Sequence, residues 1–286
     1  MRTFETKQAL RVWLDEARAD GATIGVVPTM GYLHDGHISL VRRSVRECNL
    51  TVVTIFVNPL QFAPDDDLEA YPRDLDRDRA ACAAAGANAV FAPSVSEMYP
   101  RPIETTVSVG GVSGPLEGEY RPGHFDGVAT VVTKLLSIAG SCRAYFGEKD
   151  WQQLAVIRRM ATDLDLPATI VGCPIVREAD GLAMSSRNVY LDAPQRRAAA
   201  VLNRALAAGV AAVEAGERDP GAVRAVVDSV LATEPLVDTP DYVAVVDATT
   251  LREPATLSGS VRLLVAARVG RARLIDNMGV VLSGDS

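Results

Sequence analysis

Residues 22–45 read ATIGVVPTMGYLHDGHISLVRRSV, a stretch that combines three local patterns. A short β-branched run ends at a proline, a glycine-containing turn follows, and an apolar residue then recurs with helical spacing. These patterns predict a buried strand over 22–30 and a helix that begins near Gly36 or His37. The segment therefore indicates a strand, a turn and a helix, which is the repeating unit of a parallel sheet.

The same alternation continues to about residue 176. Further strands are predicted at 49–59, 87–93, 142–150 and 167–176. Helices are predicted at 38–48, 74–86, 128–138 and 151–164. Strands that alternate with helices predict an α/β fold, a Rossmann-like doubly wound parallel sheet. Ligands of such sheets bind at the carboxyl ends of the strands, where His34 and His37 are predicted to lie.

The pattern changes after residue 188. An alanine-rich helix is predicted at 193–215, a second helix at 219–232, and strands at 242–247, 261–269 and 272–276. We therefore predict two domains, 1–186 with the parallel sheet and 187–286 as a smaller C-terminal α+β domain. Within the first domain, the glycine-rich stretch 110–127 is predicted to be a long irregular loop.

Composition narrows the classes of protein to be considered. The chain has 286 residues, 48% of them hydrophobic, and a formal net charge of -7, which disfavours a surface that binds nucleic acid. Its four cysteines are widely separated and form no C-x-x-C pair, which disfavours a disulfide framework or a cysteine zinc site and favours a reducing cytoplasm. We expect no targeting or membrane-spanning segment, because the apolar run 128–139 is interrupted by Lys134.

The histidine pair has two interpretations. A helix N-terminus presents free N–H groups and a positive dipole end, so histidines there suit a phosphate ligand. Equally, His34 and His37 are compatible with a capping turn and a buried helix residue. A zinc site is less well supported, because the sequence has no H-E-x-x-H and no third ligand nearby.

Two further polar clusters follow predicted strands. Lys149, one of three lysines, lies in GEKD, where a lysine suits phosphate and Asp150 suits ribose hydroxyls or a helix cap. The segment AMSSRN, residues 183–188, offers two hydroxyls and one guanidinium. These groups suit a triphosphate, although a turn at a domain boundary explains the same composition.

Amides among apolar residues indicate a second, smaller ligand. Gln61 closes the second predicted strand, and Gln152 and Gln153 begin a helix. Neutral amides orient small hydroxylated molecules through a few hydrogen bonds, although most glutamines are ordinary surface residues. His124 lies in the glycine-rich stretch, and Arg121 nearby suits an anion.

Seven segments together carry a family resemblance. In chain order they are PTMGYLHDGH, IFVNPLQF, YPRDLDRD, EGEYRPGHFDGV, FGEKDWQQL, PIVREADGLAMSSRN and LLVAARVGRARLIDN. This set resembles the pantothenate synthetase (pantoate:beta-alanine ligase) family of the nucleotidyltransferase superfamily, over nearly the whole chain. Within it, HDGH is similar to the HIGH signature and MSSR to KMSKS.

The resemblance implies a two-step reaction. The carboxylate of (R)-pantoate attacks the α-phosphorus of ATP to give pantoyl adenylate and pyrophosphate, and beta-alanine then displaces AMP to form pantothenate. It also implies Mg²⁺ held largely by the nucleotide with no side-chain ligand assigned, a cytoplasmic homodimer, no nucleic acid or membrane partner, and a C-terminal domain that acts as a lid.

The resemblance also implies roles for particular residues. His37 is the proton donor, and catalysis further involves His34, Lys149 and Arg187. ATP binding involves Met30, Gly31, His34, Gly36, His37, Gly147, Glu148, Lys149, Asp150, Val176, Met184, Ser185, Ser186 and Arg187. Binding of pantoate and beta-alanine involves Pro28, Met30, Gln61, Phe62, Arg121, His124 and Gln153.

The chain departs from the family pattern at Tyr32, Leu60 and Trp151, and Tyr32 lies beside the predicted ATP turn. Three other classes share part of the signal. A plain adenylyltransferase shares the histidine motif but not the paired glutamines, and a tRNA-charging enzyme needs surfaces that the short C-terminal domain does not offer. A nucleotide-binding module without activity does not need every polar group that faces phosphate. This chain has all of the predicted groups, which disfavours that class.

Overall fold

The computed structural model describes residues 1–62, 68–69 and 71–282, and these form two compact units. The first unit comprises Met1–Glu148 and Gln152–Pro174, and the second comprises Lys149–Trp151 and Ile175–Ser286. The main division thus falls earlier than the predicted boundary between 186 and 187. Residues 283–286, the end of the predicted C-terminal domain, lie outside the described residues.

The first unit is built from strands and helices in alternation. Its elements are β1 (Arg2–Phe4), α1 (Lys7–Ala19), β2 (Ile24–Thr29), α2 (Asp35–Glu47), β3 (Leu50–Ile55), α3 (Leu75–Ala84), β4 (Ala89–Phe91), α4 (Val95–Met98), α5 (Glu117–Tyr120), α6 (His124–Ala139), β5 (Cys142–Gly147), α7 (Trp151–Asp163) and β6 (Ala168–Cys173). All six strands run parallel in the order β1-β4-β3-β2-β5-β6. The α/β prediction is confirmed, and the strand order reverses between β2 and β5, where doubly wound sheets bind ligands.

Both faces of this sheet are covered by helices. The inner valines of three neighbouring strands, Val27, Val53 and Val90, pack in one buried cluster with Val41 of α2 and Cys82 of α3. Helix α6 contacts α1 and, through Thr133 and Met160, α7. Right-handed crossovers place these three helices on the opposite face of the sheet. Fully burying a side chain of valine size contributes about 1.5 to 3 kcal/mol, so these β-branched runs explain why the sheet forms.

Local predictions for the first unit needed several corrections. The sequence pattern missed β1 and α1, and α2 begins at Asp35 rather than at Gly36 or His37. The stretch 110–127 is not wholly irregular, because it contains α5 and the first turn of α6. Helix α6 escaped prediction at its start because it begins after Gly123, which has a positive φ of 79° and supplies no side-chain cap.

The second unit is an α+β arrangement. Its elements are α8 (Ala193–Ala198), α9 (Val201–Glu214), α10 (Pro220–Leu231), β7 (Tyr242–Asp247), β8 (Ser260–Val269) and β9 (Ala272–Val281). The strands form an antiparallel sheet in the order β7-β8-β9, and α9 and α10 pack together against it. The smaller α+β unit is as predicted, but the predicted helix 193–215 is divided into α8 and α9, and β9 continues beyond residue 276.

Among the described residues, no helix has both the length and the apolar character that crossing a membrane requires.

Candidate active site

The predicted site residues divide between the two units. The first unit contains Pro28, Met30, Gly31, His34, Gly36, His37, Gln61, Phe62, Arg121, His124, Gly147, Glu148 and Gln153. The second unit contains Lys149, Asp150, Val176, Met184, Ser185, Ser186 and Arg187. The residues of the first unit include the carboxyl ends of β2 and β5, the strands that flank the reversal of strand order.

The two histidines lie at the N-terminus of α2 and are joined to its backbone. His34 is the N-cap, and its Nδ1 accepts a hydrogen bond from the Gly36 N–H at 3.1 Å. The His34 N–H in turn donates to Nδ1 of His37 at 3.4 Å, and the ring centroids are 4.1 Å apart. Capping is therefore one role of the pair, although His37 is half-buried rather than buried.

These cap bonds fix the tautomer of both rings. A neutral imidazole whose Nδ1 accepts a hydrogen bond carries its proton on Nε2. Both histidines are therefore Nε2–H donors at the N-terminus of a helix of 13 residues, whose dipole favours an anion. The arrangement can provide hydrogen bonds and positive potential for phosphate oxygens.

Asp78 of α3 anchors the turn that precedes the histidines. Its buried carboxylate accepts from the Tyr32 N–H at 2.7 Å and from the Leu33 N–H at 2.8 Å. The turn is strained at Tyr32, because its φ of 50° costs a non-glycine residue energy, whereas Gly31 adopts its φ of 86° readily. Arg77 adds a hydrogen bond to the Leu33 carbonyl at 3.1 Å and places its guanidinium 4.8 Å from the Tyr32 ring centroid.

Asp78 is the last residue of the segment YPRDLDRD, and sequence analysis predicted no role for it. The sequence contains one signal, an aspartate at a helical position that faces the core. The structure shows how deeply it is buried, because Asp78 is only 2% exposed. A buried carboxylate needs hydrogen-bond partners, and here the partners are backbone N–H groups of the histidine turn. Tyr32, one of the departures from the family pattern, is thus held by both its backbone and its ring.

A second polar group forms around Gln61. The His124 ring contacts the Gln61 carbonyl through Nδ1 at 3.1 Å, and Arg121 contacts Nε2 of the same ring at 3.1 Å. Three of the residues predicted to bind substrate are therefore brought together. Gly127 allows α6 to pack closely against the turn that contains Leu60 and Gln61, because a Cβ on Gly127 would overlap the Leu60 carbonyl oxygen.

Asn58 orients Gln61 and was missed by sequence reasoning. Its Nδ2 donates to Oε1 of Gln61 and to the Gly127 carbonyl, both at 3.1 Å. The Tyr99 hydroxyl donates to its Oδ1 at 2.8 Å, and burial raises the pKa of Tyr99 to about 12, which keeps this donor protonated at neutral pH. The NPLQ motif carried the signal, since an asparagine before a proline favours a turn that its own side chain caps.

The two adjacent glutamines of α7 differ in their surroundings. Gln152 is buried, and its amide binds the backbone of the glycine-rich stretch at three points: it accepts from the Glu117 N–H at 3.0 Å and donates to the carbonyls of Val112 and Pro115. Gln153, the predicted pantoate contact, is half-buried. Gln152 therefore fixes the loop, a role that only the fold could reveal.

In the second unit, Lys149 lies in a 3-10 turn, Glu148–Asp150, whose first residue belongs to the other unit. Its Nζ is 3.9 Å from the Asp150 carboxylate. The backbone of the segment is held firmly: Asn277 Nδ2 donates to the Lys149 carbonyl at 2.8 Å, and Trp151 Nε1 donates to the Ala248 carbonyl at 2.9 Å. Trp151, another departure from the family pattern, is therefore structurally engaged.

The segment 176–187 forms a narrow loop. Its two sides meet where the Met184 N–H donates to the Val176 carbonyl at 3.0 Å, which brings together the two residues predicted near adenine. Ser185 then caps the 3-10 turn Ser186–Tyr190, because its hydroxyl accepts from the Arg187 N–H at 3.2 Å. Arg187 itself is exposed.

Comparisons with known proteins agree with this architecture. A family model described as Pantoate-beta-alanine ligase matches residues 2–279. The chain is 51% identical to the pantothenate synthetase of Heliobacterium modesticaldum over 280 residues, which are 98% of this chain and 99% of that protein. It superposes on the crystal structure of pantothenate synthetase from Thermus thermophilus with a TM-score of 0.91 and 47% identity, covering 97% of this chain and 99% of that one.

A more distant neighbour was solved with ligands. It is pantoate-beta-alanine ligase from Francisella tularensis complexed with beta-gamma ATP and beta-alanine, and it matches with a TM-score of 0.79 and 30% identity over 97% of each chain. Because the sequence match and the fold agree over nearly the whole chain, this chain belongs to the pantoate-beta-alanine ligase family.

Proposed function

We propose that this chain condenses (R)-pantoate with beta-alanine, at the expense of ATP, to give pantothenate, AMP and pyrophosphate. The observation that carries the proposal is the family match over residues 2–279, with about half of all positions identical to a pantothenate synthetase along the full chain. A structural neighbour complexed with ATP and beta-alanine supports these two molecules as ligands of this chain.

The first step is adenylation of pantoate. A carboxylate oxygen of pantoate attacks the α-phosphorus of ATP, and the bond to the bridging oxygen breaks, so that pyrophosphate leaves with the electron pair. Negative charge builds up on phosphate oxygens during this step, and preorganised donors stabilise it. We assign that task to His34 and His37 in the first unit and to Lys149, Ser185, Ser186 and Arg187 in the second.

The role of His37 as proton donor has a structural basis. Its Nδ1 accepts the His34 N–H, so the neutral ring holds its proton on Nε2. From that atom His37 can donate a hydrogen bond, or the proton itself, to a phosphate oxygen. The remaining ATP contacts are assigned to the following residues of both units: Met30, Gly31, Gly36, Gly147, Glu148, Asp150, Val176 and Met184.

Pantoate recognition is assigned to the first unit. Gln61 and Gln153 orient the hydroxyl and carboxylate groups, while Pro28, Met30 and Phe62 contact the geminal methyl groups. The assignment is supported by the network that fixes Gln61 from Asn58 on its side chain and from His124 on its backbone. Arg121 completes this group with guanidinium donors for an anion, and its contact with Nε2 of His124 holds it beside Gln61.

The second step is aminolysis. The amine of beta-alanine attacks the acyl carbon of pantoyl adenylate, the carbon–oxygen bond to AMP breaks, and the amine loses a proton as the amide forms. Adenylation makes this step possible, because AMP is a far better leaving group than the oxide of a carboxylate. No covalent enzyme intermediate is needed, so the protein acts by positioning and charge stabilisation.

Magnesium is proposed to enter bound to ATP. Among the described residues, no group of three or more histidine, cysteine, aspartate or glutamate side chains is arranged to hold a metal ion. The proposal rests on the chemistry of the nucleotide, because Mg²⁺ at ATP sites usually keeps water and phosphate oxygens as most of its ligands.

We also propose that the chain is a cytoplasmic homodimer. The four free cysteines, Cys48, Cys82, Cys142 and Cys173, support a reducing compartment. Strand β6 ends the six-stranded sheet and offers backbone groups for pairing with a second copy. Sedimentation equilibrium tests the dimer: a mass twice that of the chain supports it, and a single chain mass contradicts it.

Partial reactions test the proposed activity. Pyrophosphate and AMP release from ATP are measured with (R)-pantoate, in the presence and absence of beta-alanine. We expect pyrophosphate with pantoate alone, and AMP with pantothenate once beta-alanine is added. Pyrophosphate release that does not depend on pantoate, or that occurs equally with other small hydroxy acids, would instead indicate another small-carboxylate adenylating or nucleotidyl-transferring enzyme.

A further inference from the structure

Two consecutive buried polar residues of β9 have no part in the proposed reaction. Asp276 is 2% exposed and Asn277 is 1% exposed, in a sheet whose other inward residues are mainly apolar. Burying a carboxylate and an amide is costly unless both are fully hydrogen bonded. Their partners therefore show what this part of the strand does.

Asn277 holds the segment that carries Lys149. Its Nδ2 donates to the Lys149 carbonyl at 2.8 Å, and its Oδ1 accepts from Nε of Arg262 at 2.7 Å. The Arg262 guanidinium also lies 3.7 Å from the ring centroid of Trp151, two residues beyond Lys149. The amide thus connects the backbone of Lys149 to a buried arginine that packs on the same segment.

Asp276 holds the segment that carries Ser185, Ser186 and Arg187. Arg177 donates to both carboxylate oxygens of Asp276, at 2.7 and 3.0 Å, in a bidentate pair. Arg177 also donates to the Gly181 carbonyl at 2.9 Å, across the loop that it begins. The ion pair therefore fixes both sides of the loop that leads into residues 185–187.

Strand geometry explains how two adjacent residues of β9 can hold two different segments, one with Lys149 and one with residues 185–187. Successive side chains of a strand point to opposite faces, so Asp276 and Asn277 reach different partners from one position in the sheet. The Asp276 side chain is only 1% exposed, and a buried ion pair gives little net stability compared with well-packed apolar residues. Its distinct effect is to define position, because the bidentate geometry allows a single arrangement.

We propose that Asp276 and Asn277 are positioning residues that hold the two phosphate-binding segments of the second unit in place. Asn277 acts through Lys149, and Asp276 acts through Arg177 on residues 185–187. The inference rests on the proposed function, which assigns Lys149 and residues 185–187 to the phosphates of ATP. Neither Asp276 nor Asn277 contacts a substrate in this account.

The first test introduces Asn277→Asp into the unmodified chain and into a Lys149→Ala variant. This variant keeps an acceptor for Arg262 but loses the donor to the Lys149 carbonyl. We expect kcat/KM for ATP in pyrophosphate release to fall roughly ten- to hundred-fold, because small displacements of a positioning group are costly, while the KM for pantoate stays unchanged. Asn277→Ser, which also lacks the Nδ2 donor, replaces it if Asn277→Asp does not fold.

A double-mutant cycle separates positioning from general structure. In a Lys149→Ala background, Asn277→Asp should cause no further loss, because the amine that it positions is already absent. An equal loss in both backgrounds, or no loss in the native background, overturns the role of Asn277. Activity of the unmodified chain is measured in the same series: absence of pantothenate there contradicts the proposed function, whereas the cycle concerns the positioning role alone.

The second test uses Asp276→Asn with a matched control. The control is Asp241→Asn, which breaks a 2.6 Å pair with Arg273 of the same strand, and both of these residues lie outside the two phosphate-binding segments in the sequence. We expect Asp276→Asn to lower kcat/KM for ATP by roughly ten-fold in the native background. The same substitution should cause a smaller loss in an Arg187→Ala background, because the group that it positions is already absent. Asp241→Asn should leave kcat/KM for ATP unchanged. Equal losses for both aspartate variants overturn the role of Asp276.

Discussion

The two units fix their proposed ATP-binding residues by opposite means. In the first unit, Asp78 accepts hydrogen bonds directly from two backbone N–H groups of the histidine turn. In the second, Asp276 acts through an arginine, and Asn277 donates to a backbone carbonyl. Both solutions use a buried polar side chain distant in sequence, but only the first one constrains a strained turn directly.

The difference follows from what each segment leaves unsatisfied. The turn leaves two successive N–H groups, those of Tyr32 and Leu33, and one carboxylate accepts both. The segments of the second unit expose carbonyl groups instead, which require donors such as the Asn277 amide and the Arg177 guanidinium. An aspartate suits the first case, and an amide or arginine suits the second.

The largest effect should come from removing a charge-stabilising group of either unit. His37→Ala and Lys149→Ala should each lower the rate of pyrophosphate release roughly 100- to 1,000-fold, since one preorganised donor contributes about 2.7 to 4 kcal/mol to the barrier. Thermal unfolding should be close to that of the unmodified chain. Wild-type rates for one of the two variants would show that its unit does not take part in charge stabilisation.

A smaller effect is expected when the anchor of the histidine turn is changed. Asp78→Asn keeps one acceptor but turns an NH₂ group towards the other backbone N–H, so the turn should shift and the rate of pyrophosphate release should fall roughly ten- to hundred-fold. The matched control is Asp76→Asn on the same helix, where the side chain is 95% exposed. A rate for Asp78→Asn equal to that of the control would contradict the anchoring role.

Within the first unit, a substitution at the proposed pantoate site should have a smaller effect than one at the histidine turn. Gln153→Ala should raise the KM for (R)-pantoate roughly five-fold, since a hydrogen bond contributes about 0.5 to 1.5 kcal/mol, and should leave the KM for ATP unchanged. Initial rates at varied concentrations of each substrate provide both constants. The exposed Gln8 of α1, changed to alanine, serves as the control. An unchanged KM for pantoate would exclude Gln153 from the pantoate site.

The smallest effect is expected at the second ion pair of the loop 176–187, the one between Asp180 and Arg196. Arg196 holds the pKa of the Asp180 carboxyl below its ordinary value of 3.8, chiefly through a side-chain hydrogen bond. A lowered pKa stabilises the fold above the ordinary value, and this stabilisation is lost as pH falls through the folded-state pKa. Asp180→Asn should therefore lower the free energy of unfolding by less than about 1 kcal/mol at neutral pH.

Urea unfolding at several pH values checks this prediction. The difference between Asp180→Asn and the unmodified chain should be constant near neutral pH and should shrink below the ordinary pKa of the carboxyl. Activity at neutral pH should not change, in contrast to Asp276→Asn. A loss of activity comparable to that of Asp276→Asn would show that the exposed pair, too, positions the loop.

Local sequence patterns predicted the parts of the molecule that depend on neighbours along the chain. The β-branched runs predicted five of the six parallel strands, and the turn before α2 predicted that the histidines follow a strand at the start of a helix, because both signals lie within a few residues. The short edge strand β1 and the glycine-led start of α6 were missed, since each is stabilised by contacts with distant elements.

The anchoring residues could not be identified in the same way. Each of them is a buried polar residue with at least one partner that is close in space but distant in sequence: Asn58, Asp78, Gln152, Asp276 and Asn277. Their motifs were visible, yet an isolated aspartate or amide predicts equally well a cap, a turn or an exposed surface. The role of each emerged only when the fold supplied its hydrogen-bond partners.

Oxygen transfer tests the central claim most directly. Pantoate labelled with ¹⁸O in its carboxylate is converted with ATP and beta-alanine, and the released AMP is analysed by mass spectrometry. If a carboxylate oxygen attacks the α-phosphorus and the acyl carbon–oxygen bond then breaks, each AMP carries one ¹⁸O atom. Unlabelled AMP, or ¹⁸O in pyrophosphate or inorganic phosphate, would contradict a pantoyl-adenylate intermediate.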